Sequence, residues 1–246
     1  MTEPEPEAGL AIQTGALVSV AELTKTFIVS GGHRVVAVDA VGLDLAPASV
    51  TAVTGPAGAG KTTLLRLVGG LDRADSGVIV VDTEKVTALP PRALPGYRRR
   101  IGLVFERDLL VPELTVLDNV RALASPRSRL RGRGTATAER ARELLAAVGL
   151  AGVEGLRSDR LPPADRQRAA IARALFNRPG LLIADEPTAA LGSAASGEII
   201  ELIVRVRDEF GVTVLIATQD PEIAIHCDRV VRMHDGRVAD DSAALT

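Results

Sequence analysis

At residues 55–62 the chain reads GPAGAGKT: Gly55-Pro56-Ala57-Gly58-Ala59-Gly60-Lys61-Thr62. The stretch fits the pattern G-x-x-x-x-G-K-[ST]. It follows the apolar run SVTAVT and precedes TLLRLVGG, whose Leu64, Leu65 and Val68 fall at helical spacing. Strand, glycine loop and helix together give the pattern its chemistry. Glycines let successive backbone N–H groups point inward around a β-phosphate, and the helix start adds about half a positive charge. Lys61 is placed to reach the β- and γ-phosphates, and the Thr62 hydroxyl to hold Mg²⁺. Thr63 completes the candidate phosphate-binding set that runs from Gly55. The plain alternative is a glycine-rich turn with an incidental lysine, and a full match in this context argues against it.

Working outward, four apolar residues in LLIADEP place Asp185 at the C-terminal edge of a buried strand, where parallel sheets bind ligands. Asp185 suits Mg²⁺. Glu186 is placed to orient and deprotonate an attacking water. A strand ending in Asp-Glu is a weak signal alone and becomes strong beside the phosphate loop.

From Leu17 to Val80, short β-branched runs such as VVAVDAVGLDL alternate with glycine and proline, which predicts a strand-rich beginning. Between Thr115 and Phe176 the pattern becomes helical, with the Arg- and Gly-rich link SPRSRLRGRG expected to be exposed. Beyond it, LLIADEP and VTVLIATQD read as buried strands, SGEIIELIVRVRDEF as a helix, and RVVRMHDGRV as a hairpin around Asp235-Gly236. Alternating strands and helices imply a mostly parallel sheet interrupted by a helical insertion.

A chain of 246 residues with 46% hydrophobic side chains buries a real core. A net charge of −2 supplies no basic field for nucleic acid. The single Cys227 forbids an internal disulfide and suits a reducing compartment. MTEPEPEAGLAIQTG reads as a disordered acidic tail without a signal pattern. No apolar run approaches the roughly 20 residues that cross a bilayer, so direct membrane insertion is not expected.

Taken together, these motifs resemble the ATP-binding domain of ABC transporters, from about Val18 to Val238. LTKTF, GLDRADSG, RRRIGLVFE, LVPELTVLDNV and QRAAIARAL carry the rest of the likeness. Their wording is most similar to the subfamily that serves lipoprotein release, macrolide export and division-associated permeases. The resemblance implies an α/β P-loop NTPase with a RecA-like parallel-sheet core, an antiparallel β subdomain and an inserted helical subdomain. The expected boundaries are a tail at 1–15, the first RecA-like part at 16–106, the helical subdomain at 107–177, and the second part at 178–246. It further implies two such domains closing face to face on two ATP molecules. Each nucleotide then lies between one phosphate loop and the partner's LSGGQ turn, with Mg²⁺ bound and a transmembrane permease subunit attached. Phe27 matches the aromatic that stacks on adenine; a plain strand-end role is the alternative. The chain is expected in the cytoplasm, at the inner face of the membrane through the permease.

Four elements depart from the family pattern. The glutamine that touches Mg²⁺ is Glu106, the histidine that meets the γ-phosphate is Gln219, and the interface aspartate is Gly192. LSGGQ has become Leu161-Pro162-Pro163-Ala164-Asp165. A serine hydroxyl or glycine N–H on a phosphate contributes about 1.5–3 kcal/mol, and neither Pro162 nor Pro163 has such a group. Asp165 within about 5 Å of a phosphate oxygen would add repulsion of about 3 kcal/mol at an effective dielectric of about 20. The same residues suit a helix start, with proline in the first turn and Asp165 near polarised N–H groups.

A carboxylate at 106 still ligates Mg²⁺, whereas Gln219 donates one neutral hydrogen bond and relays no proton. The implied roles are Glu186 and Gln219 in catalysis, and Thr62, Asp185 and Glu106 at the metal. His33, His226 and His234 are read as surface residues, His226 on a helical segment. The resulting expectation is a subunit that binds MgATP at its own loop and pairs with a more complete paralogue. The alternative is a nucleotide-gated structural module without turnover.

Overall fold

The computed structural model describes residues 15–124, 134–220, 223 and 225–243. The acidic tail, apart from Gly15, and nearly all of the SPRSRLRGRG link lie outside these residues; Gly15 itself is buried.

Two sheets organise the chain. The first has four antiparallel strands in the order β2-β1-β4-β5: β1 (Val18–Ile28), β2 (Arg34–Leu45), β4 (Ser76–Val81) and β5 (Glu84–Lys85). The second has six: β3 (Val50–Thr54), β6 (Ile101–Val104), β7 (Leu181–Asp185), β8 (Thr213–Thr218), β9 (Arg229–His234) and β10 (Arg237–Ala243). Their order is β10-β9-β3-β8-β7-β6, parallel except for the edge strand β10. The expected hairpin is present, turning at Asp235 and Gly236 with φ of 47° and 79°, a pair of values that suits a tight β-hairpin.

The central strands are buried on both faces, and their alternation assigns each face to a different core. Leu182, Ala184, Val214 and Ile216 face one core, while Leu181, Ile183, Leu215 and Ala217 face the other. The first core also takes residues from α3 (Val116–Val120), α4 (Gly134–Ala147), α5 (Pro163–Leu175) and α6 (Ser193–Phe210). The second takes in the antiparallel sheet, α1 (Lys61–Val68) and Tyr97 of α2 (Leu94–Arg98). The architecture is thus an α/β core with the antiparallel sheet, α1 and α2 on one side and α3 to α6 on the other, the α/β class expected.

Parallel register brings the C-terminal strand ends into line: Thr54 pairs with Thr218, and Asp185 with Ala217. Both the glycine loop and Glu186 emerge at this edge. His226 does not lie on a helix. It sits exposed in a turn, its N–H donating to the Ile223 carbonyl, because the chain must reverse there before the Asp228 N–H joins the Val50 carbonyl.

Candidate nucleotide-binding site

The loop after β3 is shaped by backbone constraints that few residues satisfy. Gly55 has φ 144°, and a Cβ there would meet the Met233 carbonyl oxygen at 2.2 Å. Gly60 has φ 99°, and its Cβ would meet the Ala37 carbonyl oxygen at 2.1 Å. Any side chain at either position clashes with backbone, which has no freedom to withdraw. Gly60 also stands at the start of α1 with no side-chain cap, so the helix's first N–H groups stay available to an anion.

Lys61 is only 5% exposed. Its Nζ donates to the Gly55 and Pro56 carbonyls at 2.9 and 3.1 Å and lies 3.5 Å from Glu186 Oε1. The loop therefore curls around its own cation. Thr62 Oγ1 donates to Asp185 Oδ1 at 2.8 Å, which brings two hard oxygen donors together at the strand edge. Burial pushes the Asp185 carboxyl above its ordinary range, and the neighbouring Glu186 and Glu106 push the same way. The Thr62 hydrogen bond and Lys61 oppose them. A divalent cation at this point would relieve that strain, so the donor set fits Mg²⁺.

Glu186 has φ 47°, a left-handed value uncommon outside glycine. Its N–H donates to the Ala217 carbonyl at 2.9 Å, and its Oε2 accepts from the Gln219 N–H at 3.1 Å. Its carboxylate is thus suspended between Lys61 and the segment after β8. Gln219 meets it through the backbone, not the side-chain amide. Glu106 is exposed on the segment following β6, near enough to influence Asp185. Phe27 lies at the outer end of β1, 36% exposed.

The model of the family described as "ABC transporter" matches residues 38–189. The chain belongs to the ABC transporter family. It is 40% identical over 226 residues to the lipoprotein-releasing system ATP-binding protein LolD of Syntrophotalea carbinolica, covering 91% of this chain and 97% of that one. It is also 40% identical over 212 residues to the macrolide export ATP-binding/permease protein MacB of Rhodopirellula baltica, of which it covers only 31%. Among solved structures, the dimeric MJ0796, a bacterial ABC transporter cassette, superposes with a TM-score of 0.82 at 31% identity, covering 93% of this chain and 99% of that one.

The turn Leu161–Asp165 lies at the start of α5. Pro162 precedes the helix, Pro163 is its first residue and Asp165 sits in its first turn. Asp165 Oδ1 stands 3.8 Å from Arg168 Nε, and Arg168 Nη2 reaches Glu198 Oε2 of α6 at 2.6 Å. Gly192 stands just before α6 and supplies no side-chain cap.

Sequence reading missed one part of this region. Arg166 Nε pairs with Asp108 Oδ2 at 3.0 Å, and Gln167 Nε2 donates to the Phe105 carbonyl at 3.2 Å. Arg173 donates to the Asp108 and Leu109 carbonyls, each at 2.6 Å. Three side chains of α5 thus clamp residues 105–109, which include Glu106. The spacing of Arg166 and Arg173, seven residues and about two helical turns, was the available signal.

Proposed function

We propose that the chain is the ATP-binding subunit of a membrane transport complex, capturing MgATP at its own Walker motifs while offering a defective signature to its neighbour. The observation that carries this reading is the contrast between the Gly55–Thr62 loop with its Lys61, Thr62, Asp185 and Glu186 cluster and the Leu161–Asp165 turn, whose prolines carry no N–H. On this reading nucleotide phosphates take the place of the Gly55 and Pro56 carbonyls around Lys61. Thr62 and Asp185, with Glu106 beside them, hold Mg²⁺, which shields the phosphate charge. Glu186, once released from Lys61 and the Gln219 N–H, orients water. Gln219 stands where a histidine would relay a proton and supplies at most a neutral contact.

Two copies of this chain would form two sites with the same defect. We therefore propose a heterodimer with a paralogue that keeps an intact signature, both docked on a transmembrane permease, a combination of parts in keeping with the ATP-binding/permease protein MacB. The composite site on this chain's loop then turns over slowly, and the site on the partner's loop is disabled.

The second reading, a nucleotide-gated module without hydrolysis, is favoured by one observation: both Glu186 carboxylate oxygens are already engaged. Turnover of the assembled complex with Glu186→Gln separates the two. A hydrolytic role predicts a loss of at least about tenfold, on the scale expected for a general base; a binding-only role predicts no change. Ordinary turnover by the isolated chain would refute the heterodimer.

A further inference from the structure

Phe27 pairs in register with Val35 of β2, so their side chains share one face of the β1–β2 hairpin. Both are open to solvent, at 36% and 47%. Between the pairs Lys25 with Val38 and Thr26 with Val36, β2 carries one residue more than β1, which makes Ala37 a bulge. The Ala37 carbonyl is the atom packed against Gly60. Val35 lies two residues before Ala37, about 7 Å along a strand. The exposed apolar face therefore begins one short step from the phosphate loop, a separation that suits the base of a nucleotide whose phosphates occupy that loop.

Lys25 precedes Phe27 by two residues and shares its face of β1. Its Nζ stands over the Phe27 ring, 5.2 Å from the centroid. Asp75 Oδ1 lies 3.4 Å and Asp72 Oδ1 3.8 Å from that ammonium, and the Lys25 side chain is only 13% exposed. Asp75 also accepts from the Thr26 N–H at 2.7 Å, while the Asp72 N–H donates to the Arg66 carbonyl of α1. The cation is thereby tied to the helix that starts at the phosphate loop. An exposed ring free to change rotamer pays an ordering cost each time it stacks, and a fixed cation on one face removes part of that cost.

We propose that Lys25 is a positioning residue for nucleobase recognition: Asp72 and Asp75 hold its ammonium over Phe27, fixing the ring as a platform for the base while the loop alone binds the phosphates. The proposal rests on the nucleotide-binding reading above.

The test titrates the full chain with MgATP and, separately, with inorganic tripolyphosphate plus Mg²⁺. Lys25→Met should weaken MgATP by about twofold to fivefold, the range expected for one cation–π contact, and leave tripolyphosphate unchanged. Lys25→Arg should restore most of the loss. Phe27→Leu should show the same selectivity for MgATP, and Lys25→Met should add nothing in that background. A parallel loss of tripolyphosphate would put Lys25 on the phosphates and overturn the proposal. So would an unchanged MgATP affinity, or an equal loss in both backgrounds. If the unaltered chain binds neither ligand, the nucleotide reading itself fails; if it binds both and Lys25→Met is silent, only the role of Lys25 falls.

Discussion

Two helix starts in this molecule meet their surroundings in opposite ways. α1 opens behind Gly60, with free N–H groups and a buried lysine at its head. α5 opens behind Pro162, with a second proline and a carboxylate in its first turn. Both helices carry the same backbone dipole, yet only α1 pairs it with a lysine and a first turn free of carboxylates. The difference teaches that the dipole is a background contribution. Anion capture requires free N–H groups and space; at α5 proline removes part of the first, leaving the N–H groups of Ala164 and Asp165, and the Asp165 carboxylate brings the wrong charge.

The comparison breaks most sharply at Lys61. Lys61→Ala is expected to weaken MgATP binding at least about a hundredfold, since several charge-assisted contacts disappear together; calorimetry on the purified chain checks it. An unchanged affinity would erase the distinction between the two helix starts.

Rebuilding the second helix start sharpens the contrast from the other side. A chain carrying Pro162→Ser, Pro163→Gly, Ala164→Gly and Asp165→Gln should bind MgATP with unaltered affinity, because none of these residues touches its own loop. Within the assembled complex its turnover should rise. The cost is stability, by about 1–3 kcal/mol, from two added glycines near a helix start and the loss of proline and an acidic first turn. Denaturant unfolding measures this. A gain in the chain's own affinity would show that the turn acts in cis.

Much of this contrast was legible in the sequence. The glycine loop, Asp185 and Glu186 declare themselves through local order, and runs such as LLIAD announce strands buried on both faces. The start of α5 was equally readable, since proline and aspartate at a first turn need no tertiary knowledge. What stayed hidden depends on pairs distant along the chain. The spacing of Arg166 and Arg173 put both on one helix face without naming the carbonyls and carboxylate they hold near residue 108, and nothing local marked Ala37 as the backbone wall of Gly60. Lys25 and Phe27 become neighbours only once β1 is known to be a strand. His226 is exposed as expected, but the helical backbone at Ile223 gives way to a turn before it is reached.

A smaller effect is expected where α5 grips residues 105–109. Arg173→Met leaves the Asp108 and Leu109 carbonyls to water and should destabilise the fold by about 1–2 kcal/mol. MgATP affinity should change far less than in Lys61→Ala. Thermal melting beside calorimetry separates the two outcomes.

The smallest effect lies at the far edge of the parallel sheet. Hydrogen bonds from Arg229 hold the Asp241 carboxyl below its ordinary value. A lowered carboxylate contributes stability above its usual range and loses it as pH falls through the lowered value. Asp241→Asn should therefore cost well under about 1 kcal/mol at neutral pH, as for an exposed pair, and nothing in acid. Melting curves across pH test this, and neither nucleotide affinity nor turnover should respond.

The clamp of Arg166, Gln167 and Arg173 on residues 105–109 carries one more consequence. It ties the segment bearing Glu106 to α5 along about two turns of that helix, so a displacement of one is passed to the other.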